Sequence, residues 1–424
     1  MIERVVENGS NKIEQLAQFL CWRTIMPISQ GAYTLRHRFG FLIASVGSGL
    51  MMASASAPSP FYPVLQREVG FSDVAMTAIF AVYAIVLLMT LLTGGSSSDH
   101  VGRRPVLSLG FLLLAIFAIL FETATSSAGL IAARALQGVA CAFLLSTLSA
   151  AIVDLEPPDR PGLAAICNSV IPLLGLAAGT LASGIVMEHA VYPKIDVFNG
   201  IGIISVTLSA AVWLLPETSP RHEGLLKALR PRLGIPVSAR STFWQCAPAI
   251  VAGWATGGLY LSLGAPIMSS IFGSHSYLLQ AGVVTALSGA GAAACFFARA
   301  QDPHKILVYG TSALAAGTIV TLVAMELRSF PVYILALTLA GTGFGTCFYG
   351  SLRSIVPLVS ASERGELFAS IFTLSYLAFG VPVVLAGAFI PLIGLHTTVS
   401  VYGALIVLMA ATAGLLRQRN LRCG

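Results

Sequence analysis

Long apolar runs, each separated from the next by a short polar segment, dominate this sequence. Each run holds about 20 largely apolar residues, the length that an α-helix needs to cross the hydrocarbon core of a bilayer. The runs are continuous rather than alternating, which predicts helices instead of barrel strands. The chain is therefore predicted to be an all-α membrane protein with twelve spans. These spans cover residues 39–65, 72–94, 105–124, 127–153, 162–187, 197–215, 243–271, 276–299, 304–325, 331–357, 366–390 and 395–416.

The composition favours the bilayer as the solvent for most of the chain. Of the 424 residues, 56% are hydrophobic and only 10% are charged, whereas a soluble domain has about 25% charged residues. The formal net charge of +6 does not indicate nucleic acid as a partner, because the basic residues are spread over short loops rather than gathered in one patch. The expected surroundings are a lipid bilayer.

Lysine and arginine residues give the orientation of the predicted spans. With the N-terminus in the cytoplasm, 20 of the 24 basic residues fall on the inner side. The exceptions are Arg67, Lys194 and Arg328 in outer loops and Arg134 within a span. This asymmetry follows the positive-inside rule, and the even number of spans returns the C-terminus to the cytoplasm. We expect a multi-pass protein of the inner (plasma) membrane.

The longest inner connection divides the chain into two six-helix halves. The tail before the first span could contain a short helix over Lys12–Trp22. Alternatively, translation could start downstream, at Met26. Weak internal similarity, for example of Asp99 to Asp302, indicates parallel repeats, which place a substrate site between the halves near the midplane. The predicted segments are 1–38 (cytoplasmic tail), 39–215 (first bundle), 216–241 (cytoplasmic loop), 242–416 (second bundle) and 417–424 (cytoplasmic tail).

The loop between the second and third spans carries the motif GSSSDHVGRRP, which starts at Gly95. A positive-inside loop alone accounts for Arg103 and Arg104, but it does not account for Gly95, Asp99 and Gly102 at this spacing. The motif matches the signature of the major facilitator superfamily at every core position. The chain therefore resembles that family, and within it the twelve-helix drug and metabolite proton antiporters.

This resemblance implies two pseudo-symmetric six-helix bundles that work by alternating access, with the motif as a latch on the inner side. The motif's glycines allow close packing and a tight turn. Arg103 can pair with Asp99 or with Asp154 at the inner end of the fourth span. Asp99 can also face the N-terminal end of the eleventh span, near Glu366. The predicted gating residues are Gly95, Asp99, Gly102, Arg103, Arg104 and Asp154.

The fourth span contains Arg134, Gln137 and Gly138 in an arrangement that resembles the family's second motif. A guanidinium within a span is costly and usually faces an interior cavity or a partner. There it could bind an anionic group or couple to protonation of a nearby acid. The alternative is that Arg134 snorkels to the outer surface, which lies about two turns away.

The fifth span contains Gly175, Gly179 and Gly184, which resemble the third family motif, a mark of drug–proton antiporters. Thr180 stands where that motif has proline, and Ser183 replaces one later glycine. The alternative interpretation is a general packing face of small residues. The end of the sixth span, LPETSP, resembles a family boundary element and is expected only to stop the helix.

By resemblance to the fold, the first, fourth, seventh and tenth spans line a central cavity. Aromatic residues on these and neighbouring spans predict an apolar site with scattered hydroxyl groups. For each aromatic residue the alternative is packing or lipid contact. The candidate substrate or coupling residues are Arg134, Gln137, Gly138, Tyr62, Tyr83, Trp254, Tyr260, Phe348, Tyr349 and Tyr376.

Carboxylates are missing from the middle of every predicted span, so proton coupling follows from the resemblance more than from the residues. No phosphate-binding loop of the form GxxxxGK[ST] occurs, and the cysteines lack metal-type spacing. We therefore expect no cofactor, no metal and no enzymatic activity. The acidic residues near span ends are Asp73, Glu122, Glu188 and Glu326 on the outer side and Asp99, Asp154 and Asp302 on the inner side.

The predicted function is secondary active transport, with export of small hydrophobic or amphipathic compounds by proton antiport. The alternative is an importer or facilitator of a small metabolite, which could be an anion held by Arg134. A membrane-bound enzyme or sensor is a third reading, and it lacks support because no catalytic cluster stands out. The expected partners are a small-molecule substrate and protons, and a monomer is expected, as is usual in the family.

Overall fold

In a computed structural model, the chain forms twelve long helices that follow the predicted spans in order. The structure describes residues 35–224, 233–360 and 363–422, and these contain no β-strand. Each long helix is apolar enough to cross a membrane, which confirms the all-α prediction. The helices are α1 Leu35–Ser56, α2 Asp73–Gly94, α3 Arg103–Thr123, α4 Ser127–Asp154, α5 Leu163–His189, α6 Pro193–Ala211, α7 Val237–Ser270, α8 Tyr277–Ala298, α9 Pro303–Glu326, α10 Phe330–Ile355, α11 Arg364–Ile393 and α12 Leu395–Arg422.

Several helices extend beyond the apolar runs that predicted them. Helix α1 begins at Leu35 inside the predicted tail, α7 begins at Val237 inside the predicted central loop, and α12 continues to Arg422. An apolar run marks only the part of a helix that lies in hydrocarbon, whereas i→i−4 hydrogen bonding continues through the polar residues at its ends. The predicted helix over Lys12–Trp22 lies outside the described residues.

The first span is interrupted where its prolines occur. After Ser56 the chain passes through a 3₁₀ turn, Ser59–Phe61, and continues as a short helix, Tyr62–Val69. Proline lacks an N–H donor, so it opens the regular helical hydrogen bonding at this point. The turn presents the hydroxyl of Ser59 to the second half, where it donates to the carbonyl of Leu261 at 2.6 Å.

Among the described residues, two pairs of long helices make the most extensive contacts between the halves. Helix α5 packs on α8, and α2 packs on α11. These pairs are related by the internal repeat, because α2 and α8 occupy equivalent places in their halves, as do α5 and α11. The boundary between the halves is thus built from two similar helix crossings.

Within the first half, α5 lies very close to α1. A Cβ atom on Gly175 would overlap the carbonyl oxygen of Gly49, and one on Gly179 would overlap the backbone of Ala53. The hydroxyl of Ser56 donates to the carbonyl of Leu176 at 2.8 Å, which fixes the two helices in register. Small residues allow this approach in membrane helices, where packing replaces the hydrophobic effect as the driving force.

We expect Gly179→Val to destabilise the protein by about 1–3 kcal/mol, because the added methyl groups overpack the contact between α1 and α5. Thermal unfolding of the purified protein measures the effect. Gly200→Val on α6 is the matched control, since a Cβ atom at Gly200 meets nothing within 4 Å. Equal melting temperatures for the two variants would contradict the close α1–α5 contact.

Candidate gate and substrate site

The loop between α2 and α3 is organised around Arg103. Its Nη1 atom lies 2.5 Å from Oδ1 of Asp99, and its Nε atom lies 3.3 Å from Oδ2 of Asp154. Nη1 also donates to the hydroxyl of Ser98 at 2.6 Å. The Arg103 side chain is only 9% exposed. Arg103 therefore pairs with both carboxylates that the sequence offered as alternatives, and it ties the end of α4 to this loop.

Gly102 is required in the loop for two reasons. Its φ of +122° lies in a region that side-chain-bearing residues rarely adopt. A Cβ atom at Gly102 would also lie 2.9 Å from Oε2 of Glu217. The Glu217 carboxylate needs that space, because it accepts hydrogen bonds from the backbone N–H groups of Arg103 at 2.8 Å and Arg104 at 3.3 Å, at the N-terminus of α3.

The segment that follows α6, residues 217–222, docks on the motif loop. Thr218 donates to the carboxylate of Asp154 at 2.8 Å, and Ser219 donates to the carbonyl of Ser98 at 2.8 Å. The sequence predicted only a helix stop here, and that interpretation was too narrow. The segment contains polar residues, but its sequence does not indicate which surface they contact.

The charge on Glu217 is stabilised by this docking. Partial burial opposes the charge, but backbone N–H groups of Arg103, Ser219 and Arg104 and the positive charge of Arg104 outweigh it. The pKa of Glu217 therefore lies below the ordinary carboxyl value. Glu217 caps the N-terminus of α3 and lies in the Arg103 cluster, whereas the sequence analysis assigned its segment only the role of stopping a helix.

Two details of the predicted latch differ in the structure. In the described part of the chain the Asp99 carboxylate is bound by Arg103, and its expected contact with the N-terminal end of α11 is not formed. Gly94, rather than Gly95, faces α4, because a Cβ atom at Gly94 would lie 3.0 Å from Phe143. A Cβ atom at Gly95 would instead overlap the carbonyl of Leu91 in its own turn, so the need for glycine there is local.

The halves meet at the helix ends opposite the motif loop, around His189 of α5 and Tyr277 of α8; we call this end the far side. Glu188 of α5 accepts hydrogen bonds from the backbone N–H groups of Tyr277 at 2.8 Å and Leu278 at 3.3 Å, at the start of α8. Free N–H groups and the helix dipole both favour a carboxylate at this position. A charge of the first half thus caps a helix of the second.

Two glycines form the helix crossings nearest the far side. A Cβ atom on Gly184 of α5 would overlap the Cβ atom of Ala281 on α8, and one on Gly387 of α11 would overlap the hydroxyl of Thr77 on α2. Of the three glycines of the predicted helix-5 motif, Gly175 and Gly179 contact α1 within the first half, whereas Gly184 contacts α8 of the second half. The halves are thus in contact at the far side, while in the part of the chain that the structure describes the Arg103 cluster bonds to the first half and to residues 217–222.

Arg134 lies in the interior and does not snorkel, since it is only 1% exposed. Its Nη1 atom donates to Oε1 of Gln137, whose own amide donates to the carbonyl of Ser54 on α1 at 2.8 Å. The guanidinium carbon lies 4.5 Å from the centre of the Tyr83 ring and 5.9 Å from that of Phe80. Among the described residues, Arg134 forms no ion pair with a carboxylate.

An aromatic cluster on the second half is linked to this cation through the rings of Phe379 and Phe80. Trp254 on α7 is half-buried, and its ring lies 5.4 Å from Phe348, 4.9 Å from Tyr376 and 6.0 Å from Phe379, measured between ring centres. The Phe379 ring in turn lies 5.0 Å from Phe80 of α2. A continuous row of rings therefore crosses the boundary between the halves and ends at the guanidinium of Arg134.

The structure brings some predicted site residues together and separates others. Gly138 lies at the α2–α4 contact, where a Cβ atom would be 2.7 Å from the carbonyl oxygen of Tyr83. Tyr62 is buried close enough to Arg134 for a charge interaction. Tyr260 points away, with its hydroxyl 3.3 Å from that of Thr321 on α9.

The remaining predicted aromatic, Tyr349, lies under Arg353, whose guanidinium carbon is 5.6 Å from the ring centre, rather than against Trp254. The sequence reasoning missed Phe80 and Phe379, which complete the row. Helical periodicity could have found both, because Phe80 precedes Tyr83 by three residues and Phe379 follows Tyr376 by three, so each pair shares a helix face.

A family model described as Major Facilitator Superfamily matches residues 44–381, well over half of the chain. The chain belongs to the major facilitator superfamily. Members of this superfamily are transporters rather than enzymes, so this chain is a multi-pass membrane transporter of small molecules. The resemblance inferred from the motif loop is confirmed.

Relatives of this facilitator include drug resistance proteins and a vitamin transporter. It is 27% identical to the tetracycline resistance protein, class C, of Escherichia coli over 355 residues, which is 78% of this chain and 83% of that protein. It is 30% identical to the puromycin resistance protein pur8 of Streptomyces alboniger over 156 residues (36% and 31%). It is 29% identical to the riboflavin transporter RibZ of Clostridioides difficile over 168 residues (39% and 37%). In the last two cases the chain spans about a third of the relative's length.

Solved structures agree with the fold of this facilitator. A bacterial homologue of the human lysosomal transporter Spinster, in an inward-facing and unoccupied conformation, superposes with a TM-score of 0.69 at 14% identity, covering 92% of this chain and 98% of that one. The human organic anion transporter MFSD10 superposes with a TM-score of 0.65 at 18% identity, covering 89% and 99%. At these identities the likeness shows the fold alone.

We expect Glu217→Gln to lower the melting temperature of the purified transporter at neutral pH. Because the folded-state pKa of Glu217 is depressed, its stabilisation is present above the unfolded carboxyl pKa of about 4.3 and is lost as the pH falls through the folded value. The gap in melting temperature between wild type and variant should therefore narrow on acidification. Glu223→Gln, at an exposed position of the same segment, is the control, and a gap independent of pH would contradict the assignment.

We expect Gly184→Val to hold the far side open, because the larger side chain collides with Ala281 on α8. Spin labels on His189→Cys and His275→Cys, in a background without the native cysteines, measure the separation of the halves by double electron–electron resonance. The variant should shift the distance distribution to longer values. Gly282→Val on α8, where a Cβ atom meets nothing within 4 Å, should leave it unchanged, and the same distribution in both variants would refute this role of Gly184.

Proposed function

We propose that this facilitator exports small amphipathic compounds by proton antiport through alternating access. The observation that carries the proposal is the buried site between the halves, where Arg134 faces a row of aromatic rings that ends at Trp254. Such a site offers one charged contact and a large apolar surface, which suits a compound with both features. The names of the tetracycline and puromycin resistance proteins support export as the direction.

A second candidate function is import or facilitated diffusion of a small metabolite. Its support is the guanidinium of Arg134, which lacks a carboxylate partner among the described residues and so could hold an anionic metabolite. The relative named as a riboflavin transporter points in the same direction.

For the gate, we propose that two sets of contacts alternate. In the conformation described here the far side is held by the cap that Glu188 forms on α8 and by the crossings at Gly184 and Gly387. In the opposite conformation the gating residues of the motif loop, organised by Arg103, would meet the second half as one unit with residues 217–222. Two rigid halves that move about the boundary between them suit a rocking motion.

Protons are the proposed coupling ion. The support comes from the likeness to drug–proton antiporters and from the glycines Gly175, Gly179 and Gly184 of α5. The carboxylate that joins the halves, Glu188, lies at the far side. Asp73, also near the far side, accepts a hydrogen bond from the amide of Gln66 at 2.7 Å.

We also propose the setting in which the transporter works. The basic residues place the motif side in the cytoplasm, with both termini inside and the protein in the inner (plasma) membrane. The two six-helix halves, α1–α6 and α7–α12, would act as the two moving bundles, joined by the connection between α6 and α7, and a single chain would be the functional unit.

Reconstituted vesicles with an imposed pH gradient test the export proposal. Tetracycline, puromycin and a panel of amphipathic dyes should move faster with the gradient than without it, and overproducing cells should tolerate some of these compounds better. Asp99→Asn is the matched control: it should fold, since Arg103 keeps Asp154, but transport poorly. Unchanged tolerance together with gradient-independent uptake of a single solute would favour the second candidate instead.

A further inference from the structure

The charge of Arg134 is left unbalanced in the centre of the protein. No carboxylate of the described residues pairs with it, although Arg134 is only 1% exposed. The charge is partly stabilised by the π faces of Tyr83 and Phe80 and by the amide oxygen of Gln137, but these neutral groups do not neutralise it. A buried unpaired cation is costly, and a bound anion would remove that cost.

The unused donors of Arg134 are arranged for an oxyanion. Nη1 is taken by Gln137, while Nε is buried without a hydrogen-bond partner among the described residues, and Nη2 forms no hydrogen bond to them. Nε and Nη2 lie on one edge of the planar guanidinium. This edge is the fork that binds carboxylate, sulfonate or phosphate oxygens through two parallel hydrogen bonds.

The opposite wall of the site suits a flat ring system. Trp254 is half-buried, so part of its ring is free of protein contacts, and Phe348 and Tyr376 stand at its edges. Aromatic rings favour stacked or edge-to-face partners over aliphatic ones. The wall contains no carboxylate, so an organic cation would find the positive charge of Arg134 and no acidic partner.

We propose that the site selects flat aromatic organic anions, with the anionic group on the Nε–Nη2 edge of Arg134 and the rings against Trp254, Phe348 and Tyr376. Arg134 belongs to the first half and the aromatic wall to the second, so such a compound binds both halves at once. The inference rests on the transport function proposed above and names its substrate class.

Three matched probes test this selectivity on the purified, full-length protein by calorimetric titration. They are biphenyl-4-carboxylate, the neutral biphenyl-4-carboxamide and the cationic biphenyl-4-ylmethylammonium. The carboxylate should bind about tenfold or more tightly than either of the others, the contrast expected for a bidentate charge-assisted contact. Equal affinities, or tighter binding of the cation, would overturn the assignment of Arg134. A saturated bicyclohexyl carboxylate that bound as well as the biphenyl compound would overturn the aromatic wall.

Substitutions locate the two contacts. Gln137→Glu places a carboxylate beside Arg134 and should abolish the preference for biphenyl-4-carboxylate over the amide, while amide binding persists. Arg134→Gln should do the same if the purified variant stays folded. Trp254→Leu should weaken all three probes, whereas Trp244→Leu, at a position of the same helix that is 60% exposed, should weaken none. Full carboxylate preference in Gln137→Glu would refute the proposed anion contact.

These experiments distinguish failure of the proposed substrate class from failure of the export proposal. If the carboxylate shows no preference while the pH gradient still drives export of neutral or cationic compounds, the substrate class is wrong and the export proposal stands. If the carboxylate binds as expected and no gradient-driven movement of any compound follows, the export proposal fails and the assignment of the site stands.

Discussion

Charge is expensive inside a bilayer, and the arrangement of charged groups in this protein follows from that cost. Arg103 sits between Asp99 and Asp154 at one end of the first half, where its buried guanidinium has two counter-charges. Glu188 sits at the other end, on the free N–H groups of α8. Because the contact of Arg103 with Asp154 and that of Glu188 with α8 each join two helix ends, these contacts are tied to particular arrangements of the helices.

The helices can meet so closely because small residues line their crossings. In a membrane the apolar surface of a helix gains little by leaving lipid, so tight van der Waals packing has to supply the attraction. The α1–α5 contact at Gly179 lies within one half, whereas the α5–α8 contact at Gly184 lies between the halves. One glycine pattern along α5 therefore provides close contacts both within the first half and between the halves.

Much of the fold could be predicted from the sequence, because the length and continuity of apolar runs reflect the thickness of the bilayer directly. The positions of Arg103 and Asp154 could also be predicted, since the motif and the helix end are close in any such topology. The docking of Glu217 could not, because it depends on how the chain returns to the motif loop after α6. Phe80 and Phe379 were missed for a different reason: their three-residue spacing from Tyr83 and Tyr376 was an available signal, but an apolar ring in an apolar helix does not stand out from its neighbours.

The two halves use equivalent loops differently. In the second half Asp302 caps its own helix by accepting from the N–H of His304 at 2.8 Å, whereas in the first half Asp99 is committed to Arg103. The first half therefore holds the charged cluster, and its centre holds the unpaired Arg134 as well. On the substrate class proposed above, a bound anion neutralises that cation, so the loaded and empty states differ in charge where water is excluded and electrostatic interactions are strongest. Loading can then favour closure of the site without a carboxylate in the middle of any described span.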